Sequence, residues 1–124
     1  MAQGRGSAIF ATVLLLGLLF QCENVWAATF FVGGAGGWTF NVDSWPKGKT
    51  FRAGDVLVFN YNPRCAQCGS FVNQQGYDTC QASGGSRQFQ TGSDRITLVK
   101  GGNYFICTFP GHCANKMKIA VNAL

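Results

Sequence analysis

The sequence has few charged residues and contains only one histidine. Charged side chains make up 12% of the 124 residues, about half of the usual share of roughly 25%. A disordered chain has many charges and few apolar residues, whereas 47% of this chain is hydrophobic, so we exclude intrinsic disorder. The chain also lacks a Ser–His–Asp set, paired carboxylates and a phosphate-binding loop, and we therefore expect that the protein is not an enzyme.

The basic residues form no run, although they outnumber the acidic ones. Between Ala28 and Leu124 there are nine basic and four acidic side chains, spread along the chain. Nucleic-acid binding is not expected, because it requires a basic patch or stripe. The excess positive charge instead favours acidic partners, such as acidic polysaccharides of the cell surface. We expect the protein to be a monomer.

No apolar run is long enough to span a membrane comfortably. The longest, Ala8–Phe20, has 13 residues, against about 20 for a transmembrane helix. It follows a basic start at Arg5 and precedes Val25-Trp26-Ala27, which has the character of a cleavage site. Residues 1–27 are therefore predicted to be a secretory signal peptide that is cleaved after Ala27 (or Ala28), and residues 28–124 a single secreted domain with no membrane span. A membrane anchor or a buried helix is the alternative interpretation of the apolar run.

Glycine is abundant, with 17 residues, and aromatic residues make up 14% of the chain. This composition favours strands and turns over helices. Seven or eight short apolar segments alternate with Gly, Pro and Asn turns at a spacing of about ten residues. The strongest are Val56–Tyr61, Tyr104–Phe109 and Met117–Val121. The pattern predicts an all-β sandwich or barrel with Greek-key connections.

A secreted domain of this size can form disulfides, which makes its cysteines informative. Cys22 lies in the predicted signal peptide, so five cysteines remain in the mature chain. With an odd number, one cysteine must keep its thiol, bond to another chain or bind a ligand. The five are Cys65, Cys68, Cys80, Cys107 and Cys113.

The most informative motif is Cys107-T-F-P-G-His112-C-A-N-K-Met117, which follows a predicted strand. A blue-copper centre uses one Cys, two His and a weak axial Met, so a thiolate, an imidazole and a thioether on one loop are three of its ligands. Pro110 and Gly111 help the loop to bend back so that these side chains converge. Each residue alone has a commoner explanation in packing or disulfide bonding, but together they favour a metal site.

Five stretches of the chain resemble the phytocyanins, the plant blue-copper proteins with the cupredoxin fold, and within them the plantacyanin or basic blue type. They are VGGAGGWTFN, WPKGKTFRAGDVLVFNYNP, VNQQGYDTC, DRITLVKGGNYFICTFPGHC and MKIAVNAL. The resemblance implies a cupredoxin-like Greek-key β-sandwich of seven or eight strands. It also implies copper binding and single-electron transfer with an unidentified redox partner. The expected location is extracellular, in the apoplast or cell wall, where acidic cell-wall polysaccharide is available to a basic protein.

The resemblance implies roles for individual residues as well. Cys107, His112 and Met117 correspond to ligands of one type 1 copper ion. Cys80 and Cys113 correspond to a disulfide that lies beside the copper site.

One ligand of the family pattern is missing. The phytocyanins have their first histidine ligand about three residues after the proline of the YNP stretch, which is Pro63 here, and this chain has Ala66 or Gln67 in that place. His112 is the only histidine of the chain. Copper binding is therefore expected to be weakened or lost unless another residue replaces the missing ligand.

Cys65 and Cys68 leave three hypotheses open. In the first, they pair with each other, and Cys107 keeps its thiol in a site with three copper ligands. In the second, Cys68 or Cys65 replaces the missing histidine, which gives a softer site that prefers Cu(I) or zinc. In the third, the copper site is degenerate, and the scaffold serves a non-redox extracellular binding or signalling protein. A thiol oxidoreductase is disfavoured, because Cys65-A-Q-Cys68 is not placed before a helix of a βαβ unit.

Overall fold

The computed structural model describes residues 26–65 and 68–124, which form a sandwich of two β-sheets. This part of the chain contains seven strands and one α-helix. Their bounds are β1 Thr29–Phe31, β2 Val56–Asn60, β3 Gly69–Val72, α1 Gln74–Thr79, β4 Arg87–Phe89, β5 Ser93–Thr97, β6 Gly101–Ile106 and β7 Lys118–Ala123. Single turns of 3-10 helix lie between β1 and β2, at Gly34–Gly36 and Val42–Ser44. The prediction of an all-β sandwich is confirmed.

The predicted signal peptide lies outside the described residues except for its last two positions, Trp26 and Ala27. Within the described part of the chain, no helix has the length and apolar character needed to cross a membrane. The domain start at Ala28 stays a prediction. In the structure, the backbone N–H of Ala28 donates a hydrogen bond of 2.9 Å to Oδ1 of Asp55, whose side chain is buried.

The strand order places the ends of β6 and β7 side by side. The sheets have the orders β1-β2-β5 and β4-β3-β6-β7, and every pair is antiparallel except β1 with β2. The β6–β7 register runs from Gly101 opposite Ala123 to Ile106 opposite Lys118. The loop of residues 107–117 therefore leaves and re-enters the sheet at adjacent points.

Aromatic side chains from both sheets fill the space between them. The ring centroids of Phe59 in β2 and Phe105 in β6 are 4.9 Å apart, and Phe71 of β3 packs edge-on against Phe105 at 5.0 Å. Trp38, which precedes β2, is buried and packs edge-on against Phe59 at 5.0 Å. Burial of each such side chain stabilises the fold by about 1.5–3 kcal/mol, so the core holds the strand ends in fixed positions.

Gln75-Gly76 is a turn signal in the sequence, yet both residues lie within the helix α1. Asn73 caps the helix, because its Oδ1 accepts a hydrogen bond of 2.8 Å from the N–H of Gly76 and so satisfies one of the exposed helix donors. Gly76 is needed where α1 meets the sheet: a Cβ there would lie 2.6 Å from the carbonyl oxygen of Gln81 and 2.8 Å from Cβ of Val72. The glycine that suggests a turn in the sequence thus allows close packing of a helix.

Candidate metal centre

Cys107 and Met117 lie next to each other at the end of the β6–β7 pair. Cys107 directly follows β6, and Met117 directly precedes β7. The backbone N–H of Cys107 donates to the carbonyl oxygen of Met117 at 3.0 Å, and both side chains are buried. The antiparallel register therefore brings a thiol and a thioether to the same end of the sandwich.

The loop between these two residues turns back on itself and carries His112. The N–H of His112 donates to the carbonyl oxygen of Phe109, and the carbonyl oxygen of His112 accepts from the N–H of Met117, both at 3.1 Å. Gly111 has a φ of 82°, a left-handed conformation that glycine adopts without strain. Its carbonyl oxygen accepts from the side-chain amide of Asn115 at 2.9 Å. These bonds hold His112 in a compact loop.

The side chains of Cys107 and His112 are close enough to share a metal ion. Cys107 Sγ and His112 Nδ1 are 3.5 Å apart. Metal–sulfur and metal–nitrogen bonds of about 2.3 and 2.0–2.1 Å place two such ligand atoms roughly 3.6–3.8 Å apart at tetrahedral to trigonal angles. Met117 and His112 line the same surface depression, together with Trp38 and Phe40. The structure therefore brings together the three residues of the sequence motif.

A disulfide between Cys65 and Cys68 lies beside the Cys107 thiol. Cys68 Sγ is 3.9 Å from Cys107 Sγ. The ligand atoms of Cys65, Cys68, Cys107 and His112 all lie within 4.8 Å of one another. The structure thus has the cysteine pairing of the first hypothesis, with both paired sulfurs at the edge of the site.

Trp38 positions this disulfide against the core. Its Nε1–H donates to the carbonyl oxygen of Cys68, and Cys68 directly precedes β3. On the other side of the disulfide, the N–H of Cys65 donates to the carbonyl oxygen of Asn62 at 2.9 Å. Trp38 and Cys68 are 30 positions apart, and no feature of the sequence indicates that they meet.

Low-polarity surroundings disfavour negative charge on two groups of the site. Burial raises the pKa of the Cys107 thiol, and a hydrogen bond with the Phe109 backbone partly opposes this rise. Tyr61 lines the same depression as His112. Burial, together with the hydrogen bond that its hydroxyl donates to Asp94, raises the pKa of Tyr61 to about 12.

His112 is partly exposed and lies between two aromatic rings. The ring centroid of Phe109 is 4.5 Å from that of His112, and the ring of Phe40 meets the imidazole edge-on at 4.9 Å. Phe40 and Phe109 are 43% and 44% exposed, whereas Cys107 is fully buried. The imidazole thus reaches the surface within a small apolar patch, directly above the buried thiol.

A second disulfide joins Cys80 and Cys113, the pairing that the family resemblance implies. Cys113 follows His112 in the ligand loop, and Cys80 ends α1 in a left-handed conformation with φ 56°. Both cysteines belong to an apolar cluster around Val72 and Ile106 that is separate from the main core. This disulfide therefore ties the back of the ligand loop to α1.

A seven-stranded β-sandwich with Cys, His and Met on the loop between its last two strands defines a protein of the cupredoxin class. A family model described as a plastocyanin-like domain matches residues 38–117. The chain belongs to this family and, within it, to the phytocyanins.

Two similar proteins align with most of this chain. Chemocyanin of Lilium longiflorum is 56% identical over 126 residues, which are 99% of this chain and 99% of the relative. The basic blue protein of Cucumis sativus is 59% identical over 97 residues, which are 78% of this chain and 100% of the relative.

Solved structures agree with the sequence comparisons. The cucumber basic protein, a blue copper protein, is similar with a TM-score of 0.76 at 59% identity, over 78% of this chain and 100% of that chain. Spinach plantacyanin has a TM-score of 0.68 at 50% identity, over the same shares. These comparisons confirm the predicted family and the cupredoxin-like fold.

The ligand types at the site are those of a blue-copper centre, but one of the required ligands is missing. A thiol, an imidazole and a thioether are ligand types of a blue-copper centre, which also requires a second imidazole. His112 is the only histidine of the chain, and Ala66 and Gln67 lie outside the described residues. Beside Cys107 the structure has a disulfide sulfur of Cys68, which carries no negative charge and is a weaker donor than imidazole.

Proposed function

We propose that the protein binds one copper ion through Cys107, His112 and Met117 and passes single electrons outside the cell. The observation that carries this proposal is the 3.5 Å separation of Cys107 Sγ and His112 Nδ1, at the strand end where Met117 also lies. Relatives that match the whole domain are named basic blue protein, and the similar cucumber protein is a blue copper protein. These names support copper as the ion.

Each of the three residues has a distinct role in this proposal. A bound copper ion supplies a one-electron couple between Cu(II) and Cu(I). Cys107 provides the strong thiolate ligand in the buried part of the site, and Met117 provides a weak thioether ligand. His112 would provide the imidazole, and its partly exposed ring between Phe40 and Phe109 is the part of the site that a redox partner would contact. The packed core keeps these side chains in one arrangement, so an electron carrier of this kind requires no catalytic residue.

Copper binding by the oxidised protein, collected from the medium of a secreting host, tests the proposal. We expect one copper ion per chain and loss of that ion in Cys107→Ser, because this change removes the thiol of the site. Met117→Leu should keep the ion with lower affinity, since the thioether is the weakest ligand. With only one imidazole, the visible thiolate-to-Cu(II) absorption should be faint. Equal copper binding by Cys107→Ser and the parent would contradict the proposal.

One observation favours a second function. The Cys65–Cys68 disulfide lies at the side of the site where the chain lacks an imidazole donor. A degenerate site of this kind suits a non-redox extracellular binding or signalling protein that uses the same scaffold. The copper titration separates the two functions, because the second one predicts a folded protein that takes up no copper at stoichiometric concentration.

We propose that the mature chain begins at Ala28. The N–H of Ala28 donates to the buried Asp55 carboxylate at 2.9 Å. Cleavage after Ala27 would convert this N–H into a charged amine, and charge-assisted hydrogen bonds are about twice as strong as neutral ones. The intact mass of the secreted protein should correspond to residues 28–124. Asp55→Asn should destabilise this form more than a form extended by Trp26-Ala27, and equal effects would contradict the role of the amine.

We also propose that acidic cell-wall polysaccharide retains the protein in the extracellular space. Support comes from the nine basic and four acidic residues between Ala28 and Leu124. Binding to an anionic polysaccharide column should weaken steeply as salt rises, because the Debye length falls to about 8 Å at 0.15 M. Retention that does not change with salt would exclude an electrostatic contact. Size-exclusion chromatography should show a monomer.

A further inference from the structure

We infer that reduction of the Cys65–Cys68 disulfide converts the site into a thiolate-rich metal site that takes Zn²⁺ or Cu⁺. Its ligands are Cys65, Cys68, Cys107 and His112. This inference deepens the proposed function and rests on it in one respect, because both use the thiol of Cys107 and the imidazole of His112. It adds a choice of metal ion that depends on the redox state of the protein.

The four ligand atoms already lie within reach of one ion. Cys107 Sγ is 3.9 Å from Cys68 Sγ and 3.5 Å from His112 Nδ1, and the whole set spans at most 4.8 Å. A tetrahedral ion with metal–sulfur bonds of about 2.3 Å places its ligand atoms roughly 3.6–3.8 Å apart. Only the bonded sulfurs of Cys65 and Cys68 must separate, and reduction breaks the bond that holds them together.

The donor set of the reduced site differs in chemistry from that of the oxidised site. Three thiolates and one imidazole form the Cys₃His set of structural zinc sites, and soft thiolates also select Cu⁺. The oxidised site offers only the thiol of Cys107 together with His112 and Met117. Met117 is not needed in the reduced site, because the sulfurs of Cys65 and Cys68 complete a four-ligand set.

The conversion requires a two-electron reductant, for which a thiol or a phosphine serves. Two thiol molecules give their two hydrogens to the Cys65 and Cys68 sulfurs and leave as a disulfide. A phosphine with one water gives the same two cysteine thiols and a phosphine oxide. When a zinc ion then binds, the three cysteine thiols release three protons to solvent, and the oxidation state of the metal does not change.

The disulfide at the site is the one that mild reduction should open first. Cys65 and Cys68 are three positions apart, whereas Cys80 and Cys113 are 33 positions apart. In the chain-entropy model, the longer closed loop of Cys80–Cys113 contributes more to the stability of the fold, so opening that disulfide costs more of the folded state. Cys65 is also partly exposed and lines the surface depression beside His112, so a small reductant can reach it.

Zinc binding before and after mild phosphine treatment tests the inference on the protein collected from the medium. Reduction should add two thiols per chain, and alkylation with peptide mass analysis should locate them at Cys65 and Cys68. After anaerobic removal of the phosphine, competition with a chelating indicator should show that Zn²⁺ affinity rises at least about 100-fold, as expected for a complete structural-type ligand set. One Co²⁺ per chain should give a thiolate-to-cobalt charge-transfer band.

Two variants separate this inference from the proposed copper function. Cys65→Ser/Cys68→Ser should keep the copper binding of the oxidised protein and show no gain in zinc affinity on reductant treatment. Met117→Leu should lower copper affinity and keep the full gain in zinc affinity. A parent protein that binds no copper but gains zinc affinity on reduction would therefore contradict the proposed copper function and support the zinc inference.

Two outcomes would overturn the inference. One is a gain in zinc affinity that persists in Cys65→Ser/Cys68→Ser. The other is no gain in a protein whose Cys65 and Cys68 are shown to be reduced and folded. The alkylation map is the control for the second disulfide, because Cys80 and Cys113 should stay linked and unlabelled under the conditions that open Cys65–Cys68.

Discussion

The two disulfides of the described structure lie in different surroundings. Cys80–Cys113 connects the end of α1 with the ligand loop across 33 positions and lies in an apolar cluster. Cys65–Cys68 spans three positions and lies beside the Cys107 thiol. In the chain-entropy model the first stabilises the fold by about 4 kcal/mol and the second by about 2 kcal/mol. The first therefore contributes more to the stability of the fold, and the second is the disulfide that lies at the site.

Removal of the long-range disulfide should have the largest effect on stability. Cys80→Ala/Cys113→Ala should lower the free energy of unfolding by about 4 kcal/mol, because the unfolded chain regains the freedom that the bond removes. Urea unfolding followed by tryptophan fluorescence measures this loss. Peptide mapping without reduction should recover Cys80 linked to Cys113. A link from Cys80 to Cys65 or Cys68 would contradict the pairing on which the comparison depends.

Removal of the short-range disulfide should cost less. Cys65→Ser/Cys68→Ser should lower the free energy of unfolding by about 2 kcal/mol, since the bond closes a loop of only a few residues. The same urea experiment gives the value. A loss as large as that of Cys80→Ala/Cys113→Ala would mean that Cys65–Cys68 is a structural bond like the other one.

Restoration of the missing histidine should change the site more than the fold. Ala66→His is the first variant and Gln67→His its companion, because the sequence leaves the register open and both positions lie outside the described residues. One of them should produce strong blue thiolate-to-Cu(II) absorption and raise copper affinity, because the ion gains a second imidazole ligand. Both should be repeated with Cys65→Ser/Cys68→Ser, which removes any constraint from the disulfide. If no variant turns blue, the ligand loop does not follow the family path.

Alkaline pH should have the smallest effect. It should act on one tyrosine near each disulfide, Tyr77 in the cluster of Cys80 and Cys113 and Tyr61 in the depression that Cys65 and Cys68 line. Burial raises the pKa of Tyr77, which packs in the cluster of Cys80 and Cys113, and burial with the Asp94 hydrogen bond raises that of Tyr61 to about 12. Because folding favours neutral Tyr61, its contribution to stability is complete below about pH 10 and is lost as the pH rises through about 12.

Tyrosinate absorbance against pH measures this effect. The parent should show a late ionisation near pH 12 that Tyr61→Phe removes. Tyr77→Phe is the matched control, and it should leave that late step in place. A late step that persists in Tyr61→Phe would contradict the assignment.

Alternating apolar residues and turn signals were sufficient to predict the sandwich but not all of its elements. The sequence predicts a strand at Val56–Tyr61, and β2 occupies Val56–Asn60. The sequence does not indicate the helix α1, because Gly76 is a turn signal there; only the packed structure shows that a side chain at this position would clash with Gln81 and Val72. The aromatic stretch Trp38–Phe40 has the composition of a strand, yet it forms none; the Trp38 side chain instead packs on Phe59 and bonds to Cys68.

The sequence likewise predicts one part of the site and not the other. The spacing of Cys107, His112 and Met117 after a strand predicts a loop that can gather three metal ligands, because a single antiparallel pair brings both loop ends together. Cys65 and Cys68 could not be assigned in this way. Two cysteines three positions apart can bond to each other or hold a metal ion, and only their surroundings distinguish the two.

The sequence by itself determined the β-rich class, the family and the absence of a second imidazole, because composition, turn spacing and a single histidine are properties of the chain alone. The tertiary structure decided where the sulfur atoms of Cys65 and Cys68 lie. The bond from Trp38 to Cys68 crosses 30 positions, and the pairing of β3 with β6, with Ser70 opposite Ile106, places Cys68 Sγ 3.9 Å from Cys107 Sγ. Such contacts between distant residues arise only when the core packs, since side-chain packing and not local sequence sets which strand ends meet.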